Sequence, residues 1–408
     1  MCERMPHQGY RDGAGGSMMQ KTKLVEALTG NYAAAYAVKA SDVDVIAVYP
    51  ITPQTTIVEK LSEFVANGEL NAELIHVESE HSALSAVVGA SAAGARVFTA
   101  TSSQGLELAH ENLHIASGIR LPIVMAVPAR ALSAPISIHN DYGDVMNARD
   151  TGWIIYIVAS AQEVYDTIIQ AYRVAETANL PAMVAYDGFL VSHTVEPVEL
   201  NDEEEVRKFL PRPQRPYTLN PKRPVTMGPL ASPDWYYEFK YQQATALREA
   251  YKLVKDVDAL YGEKFGRSYG VVETYRMEDA DYAVVTYGGA AYGNAKAAAD
   301  MARERGIAAG VVRVRLYRPF PTMDLLKALE GVKAFAVLDR AIMFGSPAEG
   351  PLYKDVATAM FMHGVDKPAV SVIHGIGQRT MYVEDMYKIY TMLKERPNKE
   401  VVFMGVRP

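Results

Sequence analysis

The sequence is almost without cysteine: Cys2 is the only one in 408 residues. A chain with a single thiol forms no intramolecular disulfide and cannot supply the thiolates that hold an iron–sulfur cluster. If this protein takes part in a redox reaction, the metal clusters that carry the electrons therefore belong to other chains.

Long apolar runs and a strong excess of charge are also missing. No run of eighteen apolar residues occurs, so no membrane span is expected. The formal net charge is -7, which argues against a nucleic-acid surface. Residues 1–20 are polar and glycine-rich with no apolar signal segment, and we interpret them as a disordered extension before a cytoplasmic protein.

The composition is that of a globular protein of more than one domain, with 49% hydrophobic and 22% charged residues. Residues 211–233 contain seven of the 22 prolines, a density that excludes a regular helix or a central strand. We therefore predict an α/β domain over 21–195, a proline-rich linker over 196–233 and a second α/β domain over 234–408.

Within both domains, short apolar runs alternate with helical patterns, which is typical of parallel α/β sheets. Residues 23–40 are predicted to be a helix, Ser160 to Glu163 form a capping box, and Ser232 is predicted to cap a helix that starts at Pro233. The predicted strands of the first domain are 43–48, 74–77, 97–101, 122–127, 153–158 and 183–186. Those of the second are 281–286, 310–315, 334–338 and 369–373.

Polar side chains follow four of the predicted strands. Thr52, Glu80, the Thr101 to Gln104 turn and Arg130 each come directly after a strand. Because the carboxyl ends of parallel strands share one edge of the sheet, we expect these residues to converge on one crevice. A hydroxyl, a carboxylate, an amide and a guanidinium together suit a polar cofactor ring and a small carboxylic acid.

Two short motifs suggest other functions. His110, Glu111 and His114 match H-E-x-x-H, in which two histidines bind zinc and the glutamate activates water, so a zinc hydrolase is an alternative. No further ligand is signalled downstream.

Gly288, Gly289 and Gly293 follow a strand and loosely match a dinucleotide-binding turn, without its G-x-G-x-x-G spacing. A strand-to-helix connection explains them more simply than NAD does. Gly89 and Gly94 are interpreted as packing glycines inside a helix.

Long ordered segments carry a more specific signal. The chain resembles the α subunit of pyruvate:ferredoxin oxidoreductase, of the kind assembled from separate subunits, from about residue 22 almost to its end. The segments that carry the resemblance are YPITPQTTIVEKL, HVESEHSALSAVVGASAAGARVFTATSSQGLEL, RLPIVMAVPARALSAPIS, YDGFLVSH, VRVRLYRPFP and VLDRAIMFGSPAEGPL. The fold it implies is a doubly wound, pyrimidine-type thiamin-diphosphate-binding domain followed by a transketolase C-terminal-like α/β domain.

The resemblance also implies roles for the convergent residues. Glu80 resembles the glutamate that contacts the aminopyrimidine ring and favours its reactive tautomer, although a glutamate that merely stabilises a helix start would look the same. Thr52 and Arg130 resemble the residues that hold the 2-oxoacid, and Thr101 and Gln104 fall at cofactor-binding positions. A turn residue and a surface ion pair are the simpler interpretations of Thr52 and Arg130.

The resemblance further implies partners. The G-D-G motif that holds the diphosphate through Mg²⁺ is missing, so a β subunit is expected to supply that half of the site. The [4Fe-4S] clusters are expected on the β and δ subunits, with γ as the fourth chain. The implied reaction converts pyruvate and coenzyme A reversibly to acetyl-CoA and CO₂ and passes electrons to ferredoxin. A larger 2-oxoacid, such as 2-oxoglutarate or a branched-chain acid, and a non-catalytic assembly role remain alternatives.

Two departures from the family pattern weaken parts of this prediction. Residues 373–386 replace a glycine-glycine-arginine-aspartate turn, so any role of that turn is in doubt. His139 stands where relatives often carry an aromatic residue, in the loop after Arg130, so the alternative 2-oxoacid substrates stay open.

Overall fold

The structure is a computed structural model that describes residues 24–215, 217–395 and 401–407. The predicted disordered extension, with Cys2, lies outside these residues. Among the helices in the described ranges, none is both long enough and apolar enough to cross a bilayer.

Strands and helices alternate along most of the described chain. The strands are β1 (Leu24–Thr29), β2 (Val45–Val48), β3 (Glu73–His76), β4 (Val97–Ala100), β5 (Val124–Ala129), β6 (Ile154–Ile157), β7 (Ala182–Asp187), β8 (Val195–Leu200), β9 (Val272–Tyr275), β10 (Tyr282–Thr286), β11 (Ala309–Val314), β12 (Leu316–Arg318), β13 (Ala334–Asp339), β14 (Ala369–Ile373) and β15 (Val402–Phe403). The helices are α1 (Gly30–Ala40), α2 (Thr55–Ala66), α3 (Glu80–Ala93), α4 (Gln104–Leu108), α5 (His110–Gly118), α6 (Gly143–Ala148), α7 (Ala161–Ala178), α8 (Glu203–Phe209), α9 (Pro233–Phe265), α10 (Gly289–Glu304), α11 (Thr322–Ala328), α12 (Pro351–Met362) and α13 (Val383–Glu395).

Two mostly parallel sheets form the cores of the two units. The first has the order β12-β6-β7-β5-β4-β2-β3, and the second has the order β15-β14-β13-β10-β11-β9. Within them, β12 and β9 are the strands that pair antiparallel with their neighbours. The central strands are fully buried and rich in valine and isoleucine, as expected for strands covered by helices on both faces. The predicted parallel α/β class is confirmed.

One strand of the second unit joins the sheet of the first unit. Strand β12 comes from the second unit, yet it pairs antiparallel with β6 of the first, with Leu316 opposite Tyr156. Just before it, the buried Arg313 and Arg315 both reach Glu163 of α7, at 3.1 and 2.8 Å. The predicted domain boundaries stay predictions, but the two units pack as one body.

The first predicted helix begins later than expected. Residues 24–29 form strand β1, which pairs antiparallel with β8, and the helix starts only at Gly30. Thr29 caps it by accepting a hydrogen bond from the Tyr32 N–H. A β-carbon at Gly30 would lie 2.6 Å from the Val191 carbonyl oxygen, so this close approach requires glycine.

The predicted caps and helix glycines have mixed outcomes. Ser160 accepts a hydrogen bond from the Glu163 N–H, while the Glu163 side chain reaches the Ala159 N–H instead of completing the box. Ser232 precedes α9 but makes no side-chain cap. Gly94 ends α3 with φ 105°, so its prediction as an internal packing residue is wrong. Gly89 lies inside α3, but a β-carbon there would meet nothing within 4 Å.

Candidate active site

The four convergent segments meet at one edge of the first sheet, as predicted. Strands β2, β3, β4 and β5 are parallel, so their carboxyl ends point the same way. Thr52, Glu80, Thr101 and Arg130 follow these strands in turn.

Arg130 and Thr52 are in direct contact. The Arg130 Nη1 donates to the Thr52 carbonyl oxygen at 3.0 Å, and its Nε donates to the Ser137 carbonyl oxygen at 2.9 Å. Arg130 is 6% exposed, and this burial lowers its pKa. The guanidinium has five N–H donors, so donors remain after these two hydrogen bonds for a carboxylate.

Glu80 lies beside Thr101 at the start of α3. Ser79 caps this helix by accepting from the Ser82 N–H, and this places Glu80 in the first turn. A β-carbon on Gly105 would lie within 3.0 Å of both Glu80 Oε1 and Thr101 Oγ1. Glu80 is 7% exposed, and desolvation raises the pKa of its carboxyl group.

Several buried polar atoms at this edge lack a hydrogen-bonding partner among the described residues. Thr101 Oγ1 and Gln104 Nε2 are two of them, and both were predicted to be cofactor contacts. Gln54 Oε1 and Asn140 Oδ1 are the others here, and sequence reasoning missed them. A buried polar atom without a partner costs about 1–3 kcal/mol, so this set fits a ligand that brings its own donors and acceptors.

Asp144 holds two of these turns together, and it too was missed. Its Oδ2 accepts from the backbone N–H groups of Ser103, at 2.8 Å, and Arg130, at 3.0 Å. Ser103 has φ 50°, a conformation that non-glycine residues rarely adopt. Burial raises the pKa of Asp144 to about 7. The only sequence signal was a carboxylate in a polar loop, which does not distinguish Asp144 from its neighbours.

The second unit supports the same loop. Gln378 Oε1 accepts from the Asn140 N–H at 3.3 Å, and the Gly377 N–H donates to Asp141 Oδ2 at 3.1 Å. The Arg340 carbonyl oxygen accepts from the Tyr142 N–H at 2.8 Å. Residues 373–386, the turn that departs from the family pattern, thus contact the loop directly before α6, the helix that carries Asp144.

His139 lies at the end of the loop that follows Arg130. Its carbonyl oxygen accepts from the Ala131 N–H at 2.9 Å, so the 131–139 loop folds back on itself. Its ring packs on Phe189, with the centroids 5.8 Å apart. The His139 ring is thus held against Phe189, which follows β7 of the same sheet.

The H-E-x-x-H motif lies on α5. The rings of His110 and His114 are 5.2 Å apart, and Glu111 is exposed with its carboxylate 3.8 Å from His81. No group of three or more histidine, cysteine or acidic side chains in the described ranges could hold a metal ion. The structure thus gives no support to the zinc alternative.

The N–H groups of the glycine turn at 288–293 already bind a side chain of the protein. The N–H groups of Gly289 and Ala290 donate to Asp187 Oδ2 at 2.7 and 2.9 Å. A β-carbon on Gly289 would overlap the Ala159 carbonyl oxygen. These N–H groups bind the carboxylate of the first unit, so the interpretation as a strand-to-helix connection is preferred over NAD binding.

Two family models match the chain. One, described as pyruvate flavodoxin/ferredoxin oxidoreductase, thiamine diP-binding, matches residues 36–259. The other, described as pyruvate:ferredoxin oxidoreductase core domain II, matches residues 280–386. The chain belongs to the pyruvate:ferredoxin oxidoreductase family. The predicted resemblance is confirmed, as is the prediction of an oxidoreductase with a thiamin-diphosphate-binding domain.

Relatives within this oxidoreductase family carry two kinds of name. Pyruvate synthase subunit PorA of Methanocaldococcus jannaschii is 46% identical over 389 residues, covering 94% of this chain and 98% of the relative. Ketoisovalerate oxidoreductase subunit VorA of Pyrococcus horikoshii is 46% identical over 380 residues, covering 92% and 95%. PorA of Thermotoga maritima is 46% identical over 367 residues, covering 89% and 93%.

A solved structure of similar fold is the 2-oxoglutarate:ferredoxin oxidoreductase of Magnetococcus marinus, which was determined with 2-oxoglutarate, coenzyme A and succinyl-CoA bound. The TM-score is 0.68 at 18% identity, and the match covers 90% of this chain and 64% of the other. This structural similarity shows that the two chains share a fold.

Proposed function

We propose that this chain is the α subunit of a pyruvate:ferredoxin oxidoreductase and supplies the aminopyrimidine half of its thiamin diphosphate site. The observation that carries the proposal is the buried Glu80 carboxylate beside Thr101, with unpartnered polar atoms of Thr101 and Gln104 at the same sheet edge. When bound, thiamin diphosphate supplies the electron sink that decarboxylation of a 2-oxoacid requires.

Glu80 would hold the aminopyrimidine ring of the cofactor through a hydrogen bond from its carboxyl group to a ring nitrogen. Its raised pKa brings the carboxyl group closer to the working pH, where it can hold and return a proton efficiently. Thr101 Oγ1 and Gln104 Nε2 would also hold the cofactor, because its polar groups would satisfy two buried atoms that lack partners among the described residues. Gly105 keeps the space between Glu80 and Thr101 open.

Arg130 binds the carboxylate of the 2-oxoacid. Its contact with the Thr52 carbonyl oxygen and its burial hold the guanidinium in one orientation, so it presents a fixed fork of donors. Thr52, whose side chain is exposed, lies beside this fork and bounds the substrate position.

The remaining parts of the enzyme are on partner chains. A β subunit binds the diphosphate through Mg²⁺, and [4Fe-4S] clusters on the β and δ subunits carry electrons to ferredoxin, with γ completing the assembly. The absence of G-D-G and the single cysteine of the sequence support this division. Coenzyme A is the cosubstrate that leaves as acetyl-CoA while CO₂ is released.

The substrate is proposed to be pyruvate, in line with the PorA names among the relatives. VorA relatives are equally similar, so sequence identity does not rank the substrates. The test is to purify this chain with its partner subunits and measure kcat/KM with pyruvate, 2-oxoisovalerate and 2-oxoglutarate. We expect the highest value with pyruvate, and a higher value with either other acid would reassign the substrate. Turnover by this chain alone would contradict the split site.

A further inference from the structure

A second cavity lies at the carboxyl edge of the second sheet. Its volume is about 280 Å³. Arg340 follows β13, His374 follows β14, and both line the cavity together with Arg379, Met381 and Met386. Ligands of open parallel sheets bind at this edge of the strands. Neither Glu80 nor Arg130 lines the cavity, although one lining residue, Gln378, also contacts Asn140 of the first unit.

His374 is a buried ring that lacks partners. It is 3% exposed, and neither ring nitrogen has a hydrogen-bonding partner among the described residues. Burial and the nearby Arg340 charge lower the pKa of His374 to about 3, so the ring is neutral at physiological pH. A neutral imidazole offers one donor and one acceptor, and each left unmatched costs about 1–3 kcal/mol.

The charged groups around the cavity favour an anion. Arg379 is exposed and has no ion pair in the part of the chain that the structure describes. Arg340 uses Nη1 for Asp187, and that carboxylate is further neutralised by the N–H groups of Gly289 and Ala290. Arg379 also lines a neighbouring groove with Asp385, but that carboxylate pairs with Lys388, so the charge of Arg379 is available to a ligand.

We propose that this cavity binds a small organic anion, whose carboxylate or phosphate contacts Arg379 and whose hydrogen-bonding group meets His374. Met381 and Met386 provide an adaptable apolar wall for the body of the ligand. At about 280 Å³ the cavity lies just below the range of about 300–1,000 Å³ that is usual for ligand pockets, so it suits a single ring or a short chain.

The test is calorimetric titration of the purified complex with phenyl phosphate, benzoate and the neutral benzyl alcohol. Arg379→Ala and Arg407→Ala remove the same charge from exposed arginines. Both residues line the neighbouring groove, but only Arg379 also lines this cavity. We expect at least one of the two anions to bind and benzyl alcohol not to bind. Arg379→Ala should weaken binding at least tenfold, and Arg407→Ala should leave it within twofold.

His374 is tested with a second pair of variants. His374→Gln keeps a donor and an acceptor and should retain binding within about fivefold, whereas His374→Leu should abolish it. Absence of binding by both anions, or equal weakening by Arg379→Ala and Arg407→Ala, would overturn the proposal. Because binding is measured without turnover, this result is independent of whether the complex oxidises pyruvate.

Discussion

Asp187 and Arg340 form a buried ion pair between the two units, with 2.6 Å between Oδ1 and Nη1. Asp187 ends β7 of the first sheet, and Arg340 follows β13 of the second. Tyr142 also donates its hydroxyl to Asp187 at 3.2 Å. One carboxylate therefore connects both sheets and the start of α6, the helix that carries Asp144.

Breaking this pair should destabilise the chain strongly. Arg340→Met leaves the Asp187 charge buried without its cation, and the expected loss is about 3–5 kcal/mol in the free energy of unfolding. The measurement is urea unfolding of the full-length chain. Arg276→Met, which breaks an exposed pair with Asp300, is the control and should destabilise the chain far less, because water already solvates both charges. Equal losses in the two variants would contradict a special role for the buried pair.

Glu80→Gln should lower kcat of the complex by a factor of about 10² to 10⁴, the usual contribution of a positioned acid–base group. Glutamine keeps the size of the side chain but cannot exchange the proton. The neighbouring Glu78 is exposed and contacts Ser82, so Glu78→Gln is the control and should change kcat less than twofold. Initial rates at saturating thiamin diphosphate decide the question, and unchanged turnover by Glu80→Gln would favour a non-catalytic assembly role.

Arg130→Lys should raise KM for the 2-oxoacid about tenfold to a hundredfold, because a hydrogen bond to a charged group contributes about 1.5–3 kcal/mol. Lysine keeps the charge but loses the planar fork. Arg120 also donates to backbone carbonyl oxygens, at residues 178 and 179, and Arg120→Lys serves as the control. Steady-state kinetics should show the KM effect in the Arg130 variant alone.

Gly105→Ala should weaken thiamin diphosphate binding at least tenfold, since the new methyl group would overlap Glu80 Oε1 and Thr101 Oγ1. Gly293→Ala also adds a methyl group to a helix, but nothing lies within 4 Å of it, so it should leave binding unchanged. Fluorescence titration of the complex with the cofactor measures both affinities. If the two variants bind alike, the space beside Glu80 is not used by the cofactor.

Asp144→Asn should change how stability depends on pH. The folded chain keeps the Asp144 proton up to about pH 7, whereas the unfolded chain releases it near pH 4. Between these values the wild-type chain should lose about 1.4 kcal/mol of stability per pH unit relative to the variant as pH rises. Burial also raises the pKa of Asp339 to about 7. Because Asp339 is present in both proteins, its contribution cancels in the difference between their stabilities. Unfolding curves at pH 5, 6 and 7 would show a constant difference if Asp144 were already ionised.

Much of the architecture could be predicted because its signals are local. Runs such as those of β4 and β5 are apolar and end in polar turns, so both the strands and the convergence of Glu80, Thr101 and Arg130 followed from the pattern. Residues 24–29 could not be recognised as a strand, since their pairing partner is 195–200 and pairing at this distance leaves no local mark.

The missed site residues act through the backbone or across long separations. Asp144 accepts from the N–H groups of Ser103 and Arg130, a role that depends on two turns meeting in space. Gln378 reaches Asn140 from the second unit, 238 residues away in sequence. The spacing and composition of the sequence carry no information about such contacts. They can be identified only from the folded structure, in which the separate segments lie side by side.

Strand β12 has a practical consequence for anyone who wishes to divide this polypeptide. The proline-rich segment before α9 looks like a natural place to cut, yet a fragment that ends there would lose the edge strand that covers β6. The unpaired backbone N–H and C=O groups of β6 would then be exposed, and they would favour pairing between copies of the fragment. The same cut would also leave the buried Glu163 carboxylate without Arg313 and Arg315, the two arginines that neutralise it. The halves are thus better expressed together than apart.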